Sequence, residues 1–224
     1  MTPSARAQGV GVSPVNLLMQ PGQTAAALIV TNREDHRIAF QIRGYSWHQD
    51  RGGEDRLDPT DDLVASPPIA SIEPGASQVV RLILRQPAGA QESTYRILFD
   101  QLPPPHEAGI VQILLRLSIP VFAEPRTPVA ARMRWRIARE QGRLWLIAAN
   151  DGTRHLTVAN LQLRGEDGRD LRVDVNTPPH ILAGGARRWP ILTDRPISPA
   201  GSVRLTATGD AGTIDERISP DAGP

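Results

Sequence analysis

The 224 residues carry 25 basic and 24 acidic side chains, a net charge of +1, so the chain lacks the electrostatic footprint of a nucleic-acid binder. All of the basic residues are arginines and there is no cysteine, which excludes disulfides, thiolate metal sites and thiol nucleophiles. Aromatics make up only 4% of the chain, while 19 glycines and 21 prolines punctuate short aliphatic runs, the composition of an all-β protein.

The first residues, 1–8, are small and polar and end in an Ala-x-Ala pattern. They read as the tail of a secretory signal or as a plain flexible N-terminus, and in both cases lie outside the fold. Val10 to Met19 alternates as a first strand interrupted by Pro14, which cannot donate to a ladder. Ala25–Thr31 and Ile38–Trp47 read as the second and third strands, with Pro21-Gly22 as a turn. Residues 49–62 are acidic and read as a solvated loop. The spacing of Asp58, Asp61 and Asp62 fits no calcium loop. Leu63–Ile72 is extended but broken at Pro67-Pro68, and Gln78–Arg85 and Tyr95–Leu102 are strands, the latter stopped by Pro103-Pro104-Pro105.

Gly109 to Phe122 is the longest alternating stretch. Val111, Ile113, Leu115, Leu117 and Ile119 form an unbroken aliphatic row against Gln112, Arg116 and Ser118. Two readings of that row stay open on the residues alone. It lines the chain's own core, or it is offered, with its backbone, to another protein.

Seven strands with turns about every ten residues have the rhythm of an immunoglobulin-like sandwich. Pro125 and Pro128 restrict a connector, so residues 9–124 are read as a first domain, 125–128 as a linker and 129–224 as a second domain. The second half continues with strands near Arg132–Ala138, Arg143–Asn150, Thr157–Arg164, Leu171–Val175, Ala186–Leu192, Ser202–Ala207 and Thr213–Ile218, and Trp135 and Trp145 read as core residues. The fold class is therefore all-β, with two immunoglobulin-like β-sandwich domains. No run of about eighteen apolar residues is present to span a membrane as a helix. His36, His48, His106, His155 and His180 are scattered, and no catalytic or phosphate-binding motif occurs. A catalytic site, a cofactor and a metal site are not expected.

Several segments, in order, resemble the PapD-like periplasmic chaperones of the chaperone–usher pilus pathway. They are Pro14–Gln23, Val30-Thr31-Asn32, Pro74–Arg81, Tyr95–Pro103 and the long strand with its Pro120-Val121-Phe122 ending. The Ser118–Phe122 ending looks most like the archaic branch. The resemblance implies two immunoglobulin-like domains set at an angle and no catalysis. It also implies a periplasmic location, a pilus or fimbrial subunit as client, and an outer-membrane usher as recipient. It makes Val111, Ile113, Leu115, Leu117 and Ile119 the donor row that completes the subunit's sandwich, a case of strand addition. Self-association of the free protein through its strand edges is also compatible with it.

Typical members hold the subunit's C-terminal carboxylate with basic residues at the positions matching Asn16 and Pro120, and neither residue here can do so. Arg96 and Arg116 are the candidates to replace them, since guanidinium binds carboxylate as a planar fork. With the intervening loop centred near His106, position 96 is expected opposite 116. The rival reading is an extracellular or periplasmic immunoglobulin-like adhesion module without chaperone activity. Rescue of an insoluble subunit separates the two.

Overall fold

The computed structural model describes residues 9–50, 52–104, 113–127, 129–175, 179–193 and 201–220, and every regular element among them is a β-strand. The chain forms two compact units. One holds the described residues up to Trp47 with Leu57–Thr127, and the other holds His48–Arg56 with the described residues from 129 onward. Each is an immunoglobulin-like sandwich.

The first strands are β1 (Val10–Ser13), β2 (Leu17–Met19), β3 (Ala25–Asn32), β4 (Ile38–Gln49) and β5 (Asp55–Pro59), then β6 (Leu63–Ser66), β7 (Ile69–Ile72), β8 (Ser77–Leu84), β9 (Ser93–Gln101) and β10 (Arg116–Ala123). All lie in the first unit except the end of β4 and the start of β5, which fall within His48–Arg56. One sheet runs β1-β3-β8-β6, and the other runs β2-β10-β9-β4-β5 with β7 also on β4. Alternation places Leu28, Val30, Val80 and Leu82 of the first sheet against Phe40, Ile42, Ile97, Phe99 and Val121 of the second, all buried. Phe40 and Phe99 meet edge to face at 6.3 Å.

Two expectations from the sequence change here. The interrupted strand of Val10 to Met19 is two strands in two sheets, and so is the interrupted segment of Leu63 to Ile72. The chain crosses between sheets at Pro14 and Pro67, both preceded by cis peptide bonds. A residue without an N–H ends its ladder, and the next apolar residues then pair on the facing sheet. The acidic segment 49–62 is not all loop. Its largely exposed Asp55–Pro59 forms β5 on the free side of β4, where no core face imprints a pattern on the sequence.

The second unit contains β11 (Met133–Glu140), β12 (Arg143–Asn150), β13 (Leu156–Thr157), β14 (Ala159–Gly165), β15 (Asp170–Val173), β16 (His180–Ile181), β17 (Ala186–Leu192), β18 (Val203–Gly209) and β19 (Gly212–Ile218). They run in the order β11-β12-β17-β15-β14-β18-β19, with β13 and β16 paired separately. Its core gathers Ile137, Leu146, Leu163, Ile181, Trp189 and Leu205. Trp135 packs against that core, stacked on Trp189 at 6.0 Å. Trp145 does not join it. It lies out of phase with Leu144 and Leu146, half-buried, with the Arg188 guanidinium carbon 4.7 Å from its ring centre.

The two units share a device that no sequence repeat announces. Asn32 ends β3 and Asn150 ends β12, and both are buried. Each accepts the N–H two residues on, at 2.9 Å from Glu34 and from Gly152. Each donates to the carbonyl four residues on, His36 or Arg154. Each also reaches a distant strand, donating to the Ile72 or the Ile181 carbonyl. The amide thereby satisfies backbone groups that the strand end would leave buried and unpaired.

Arg187 is the second unit's buried cation, 3% exposed. It donates to the Gly53 carbonyl at 2.9 Å, to Asp55 at 2.8 Å and to the His180 carbonyl at 3.1 Å. Gln49 bridges the His180 carbonyl and the Leu182 N–H. These bonds explain why His48–Arg56 is part of this unit.

Candidate binding edge and anion site

The long alternating stretch supplies β10. On one side β10 pairs antiparallel with β9 along its full length, and on the other it pairs parallel with β2 only at Val121–Ala123. Among the described residues, positions 116–119 therefore have a strand neighbour on one side alone. The Leu115 carbonyl accepts from Gln101 N, so odd-numbered backbone groups face β9 and the N–H and C=O of Arg116 and Ser118 point to the open side. Pro120, which has no N–H, falls on the same phase and breaks no bond to β9.

The aliphatic row changes character along its length. Ile113 is 94% exposed and Leu115 38%, Leu117 is half-buried against the core, and Ile119 is 7% exposed within it. Val111 lies outside the described residues. The assignment of Ile119 to an outward row is thus corrected. From Ile119 onward the odd-numbered side chains are buried in the core, and β2 begins to flank the strand at Val121, so Ile119 belongs to the sandwich's own core. The row is therefore exposed at its described start and buried in the chain's own core at its end.

The pairing of Arg96 with Arg116 is not what forms. Arg116 lies opposite Asp100, and Arg96 lies opposite Pro120. The pairing is four residues out from the expected one because the connection centres on position 108, not 106. At about 3.3 Å per residue, the two arginines are separated by roughly 13 Å along the strands.

Arg116 donates from Nε to Asp100 Oδ1, and Arg43 donates to Asp100 Oδ2 at 2.6 Å. Burial alone would raise the Asp100 pKa, but hydrogen bonds from Arg43 and then Arg116 outweigh it, and the net direction is downward. Arg116 is engaged within its own sheet.

Arg96 has a different setting. Its Cζ lies 3.8 Å from the centre of the buried Trp47 ring, and Trp47 in turn packs on Phe122 at 5.8 Å. All three sit on the sheet face opposite the core. Arg96 alternates with Tyr95 and Ile97, Trp47 with Ile42 and its phase, and Phe122 with Val121 and Ala123. Leu17 pairs with Val121. Pro120 faces Arg96 across the ladder, and Asn16 immediately precedes the first β2 residue, so a cation lies on β9 beside both positions. Sequence reasoning named Arg96 and missed Trp47, Phe122 and Asp100. The signal was there, because both aromatics stand on the polar phase of their strands.

Residues 9–128 match the family described as "Pili and flagellar-assembly chaperone, PapD N-terminal domain". No curated protein sequence matches the chain. Among solved structures, the chain is similar to one from the CsuC–CsuE chaperone–tip adhesion subunit pre-assembly complex of the archaic chaperone–usher Csu pili of Acinetobacter baumannii. The identity is 20% and the TM-score 0.71, over 94% of this chain and 98% of that one. It is also similar to the Escherichia coli chaperone DraB, at 18% identity and TM-score 0.61 over 97% and 98% of the two chains. The Pseudomonas aeruginosa CupB2 chaperone aligns at 15% identity and TM-score 0.60, over 93% and 100%. At these identities the likeness establishes a common fold along nearly the whole chain.

Proposed function

The chain belongs to the PapD-like family of pilus-assembly chaperones, and from that premise we propose that it binds a pilus subunit by adding β10 to the subunit's open sheet. The observation that carries this is one strand whose backbone groups at Arg116 and Ser118 face a side with no strand partner among the described residues, with exposed aliphatics at Ile113 and Leu115. An exposed apolar strand edge is normally blunted by charge or covered, because it is an aggregation hazard. A protein whose task is to complete another sheet must keep such an edge. Each backbone bond to the client adds about 1 kcal/mol, and each aliphatic buried in a client pocket adds about 1.5–3 kcal/mol. The donor row in this reading is Val111, Ile113, Leu115 and Leu117. The tip-adhesion-subunit complex that holds the similar chain from A. baumannii supports a pilus subunit as the client class.

The pairing of Arg96 with Pro120, one residue before β2 begins to flank β10, supports Arg96 as the residue that takes the subunit's C-terminal carboxylate. The ion pair with Asp100 leaves Arg116 to hold β10 against β9. Capture of this kind needs no nucleotide or metal. The protein works in the periplasm and passes its client to an outer-membrane usher. Co-expression with a subunit from a neighbouring reading frame tests the reading. A soluble one-to-one complex that Ile113→Asp abolishes supports it, and an insoluble subunit beside abundant folded chaperone overturns it.

A further inference from the structure

We propose that Trp47 is a positioning residue for the anchor, its indole a shelf that fixes Arg96 for a carboxylate. The inference rests on the reading of Arg96 given above. The separation of 3.8 Å between the Arg96 Cζ and the Trp47 ring centre is that of two planar groups in contact. Stacking engages the flat face of a guanidinium, while a carboxylate takes its in-plane N–H fork, so the two contacts use different parts of one group. The shelf is itself fixed. Trp47 is 2% exposed, its carbonyl accepts from Thr94 Oγ1 at 2.5 Å, and its ring leans on the buried Phe122. Thr94 and Arg96 are alternate residues of β9, so indole and guanidinium are held on the same two strands. A flexible side chain is thereby set before the ligand arrives, which lowers the ordering cost of binding. The arrangement also explains the choice of cation. A lysine at position 96 would offer a point charge with no flat face to stack and no fork to align.

The test compares two probes, an acetylated heptapeptide of alternating valine and threonine with a free C-terminal carboxylate and the same peptide as its amide. Wild-type protein is expected to bind the carboxylate form about tenfold or more tightly than the amide. Trp47→Leu should lower affinity for the carboxylate form by roughly three- to thirtyfold and leave the amide unaffected. Trp47→Phe should restore most of the difference. In the wild type, the Arg96 Nε–H proton should show the upfield ring-current shift of a group over an indole, which needs no variant to fold. Absence of that shift, or undiminished discrimination by a folded Trp47→Leu, overturns the shelf while Arg96 stands as anchor. Equal binding of both probes by the wild type overturns the anchor itself and the shelf with it.

Discussion

Arg96 lies directly across the β9–β10 ladder from Pro120, and Asn16 immediately precedes the first residue of β2. The resemblance to the family implies basic residues at the two positions occupied here by Pro120 and Asn16. A neighbouring strand therefore offers a cation at the place where its own strands have none. In the proposed reading, a carboxylate arriving along the open edge of β10 meets Arg96 near the point where that edge closes against β2.

In the proposed reading the aliphatic row divides between partner and core, and substitutions should divide likewise. Ile113→Asp and Leu115→Asp should abolish subunit rescue and leave the free protein's unfolding midpoint near that of wild type. Ile119→Asp places a charge in the core and should cost about 3 kcal/mol or more, lowering the yield of folded protein. Denaturant titration beside a solubility assay for the subunit reads both.

The two arginines should separate in the same assay. Arg96→Ala is expected to weaken client binding by roughly ten- to a hundredfold, and Arg96→Lys to recover little of it. Arg116→Ala should not alter discrimination between a free and an amidated client C-terminus. Arg116 is largely exposed, so its loss should cost stability less than about 1 kcal/mol.

Asp100 gives a pH dependence of definite sign. Its folded pKa lies below the ordinary carboxylate value because Arg43 and Arg116 outweigh the effect of burial. The stabilisation is fully present above the unfolded pKa and is lost as pH falls through the folded one. Asp100→Asn should therefore lower stability at neutral pH and flatten its decline in strong acid. An unchanged acid limb in Asp100→Asn would remove the clamp from the explanation.

The buried asparagines predict a matched pair of defects. Asn32→Ala leaves the Glu34 N–H and the His36 and Ile72 carbonyls without that partner, and Asn150→Ala does the same to Gly152, Arg154 and Ile181. Each should cost about 2–4 kcal/mol, read from chemical unfolding.

Alternation exposed most of this fold to sequence reading. Leu28 with Val30 and Val80 with Leu82 are the core residues that their period of two implies. A period cannot say which sheet a strand joins, so the crossings at Pro14 and Pro67 read as interruptions. Register failed for a related reason. The prolines at 103–105 mark where β9 must stop but not where the connection turns, and an error of two residues in its centre displaced Arg96 from its partner by four. The Trp47–Arg96 contact joins positions 49 residues apart, which no local pattern encodes. Trp47 standing out of phase with Phe40 and Ile42, like Phe122 on its own strand, was a local clue.

Strand addition at the open side of β10 makes the most direct demand on backbone amides. Hydrogen exchange at Arg116 and Ser118 should be fast in the free protein and strongly slowed in a complex with the subunit, while the already paired amides of Leu117 and Ile119 change little. A one-to-one complex in which Arg116 and Ser118 exchange as fast as in the free protein would mean that the subunit is held elsewhere, and strand donation by β10 would be wrong.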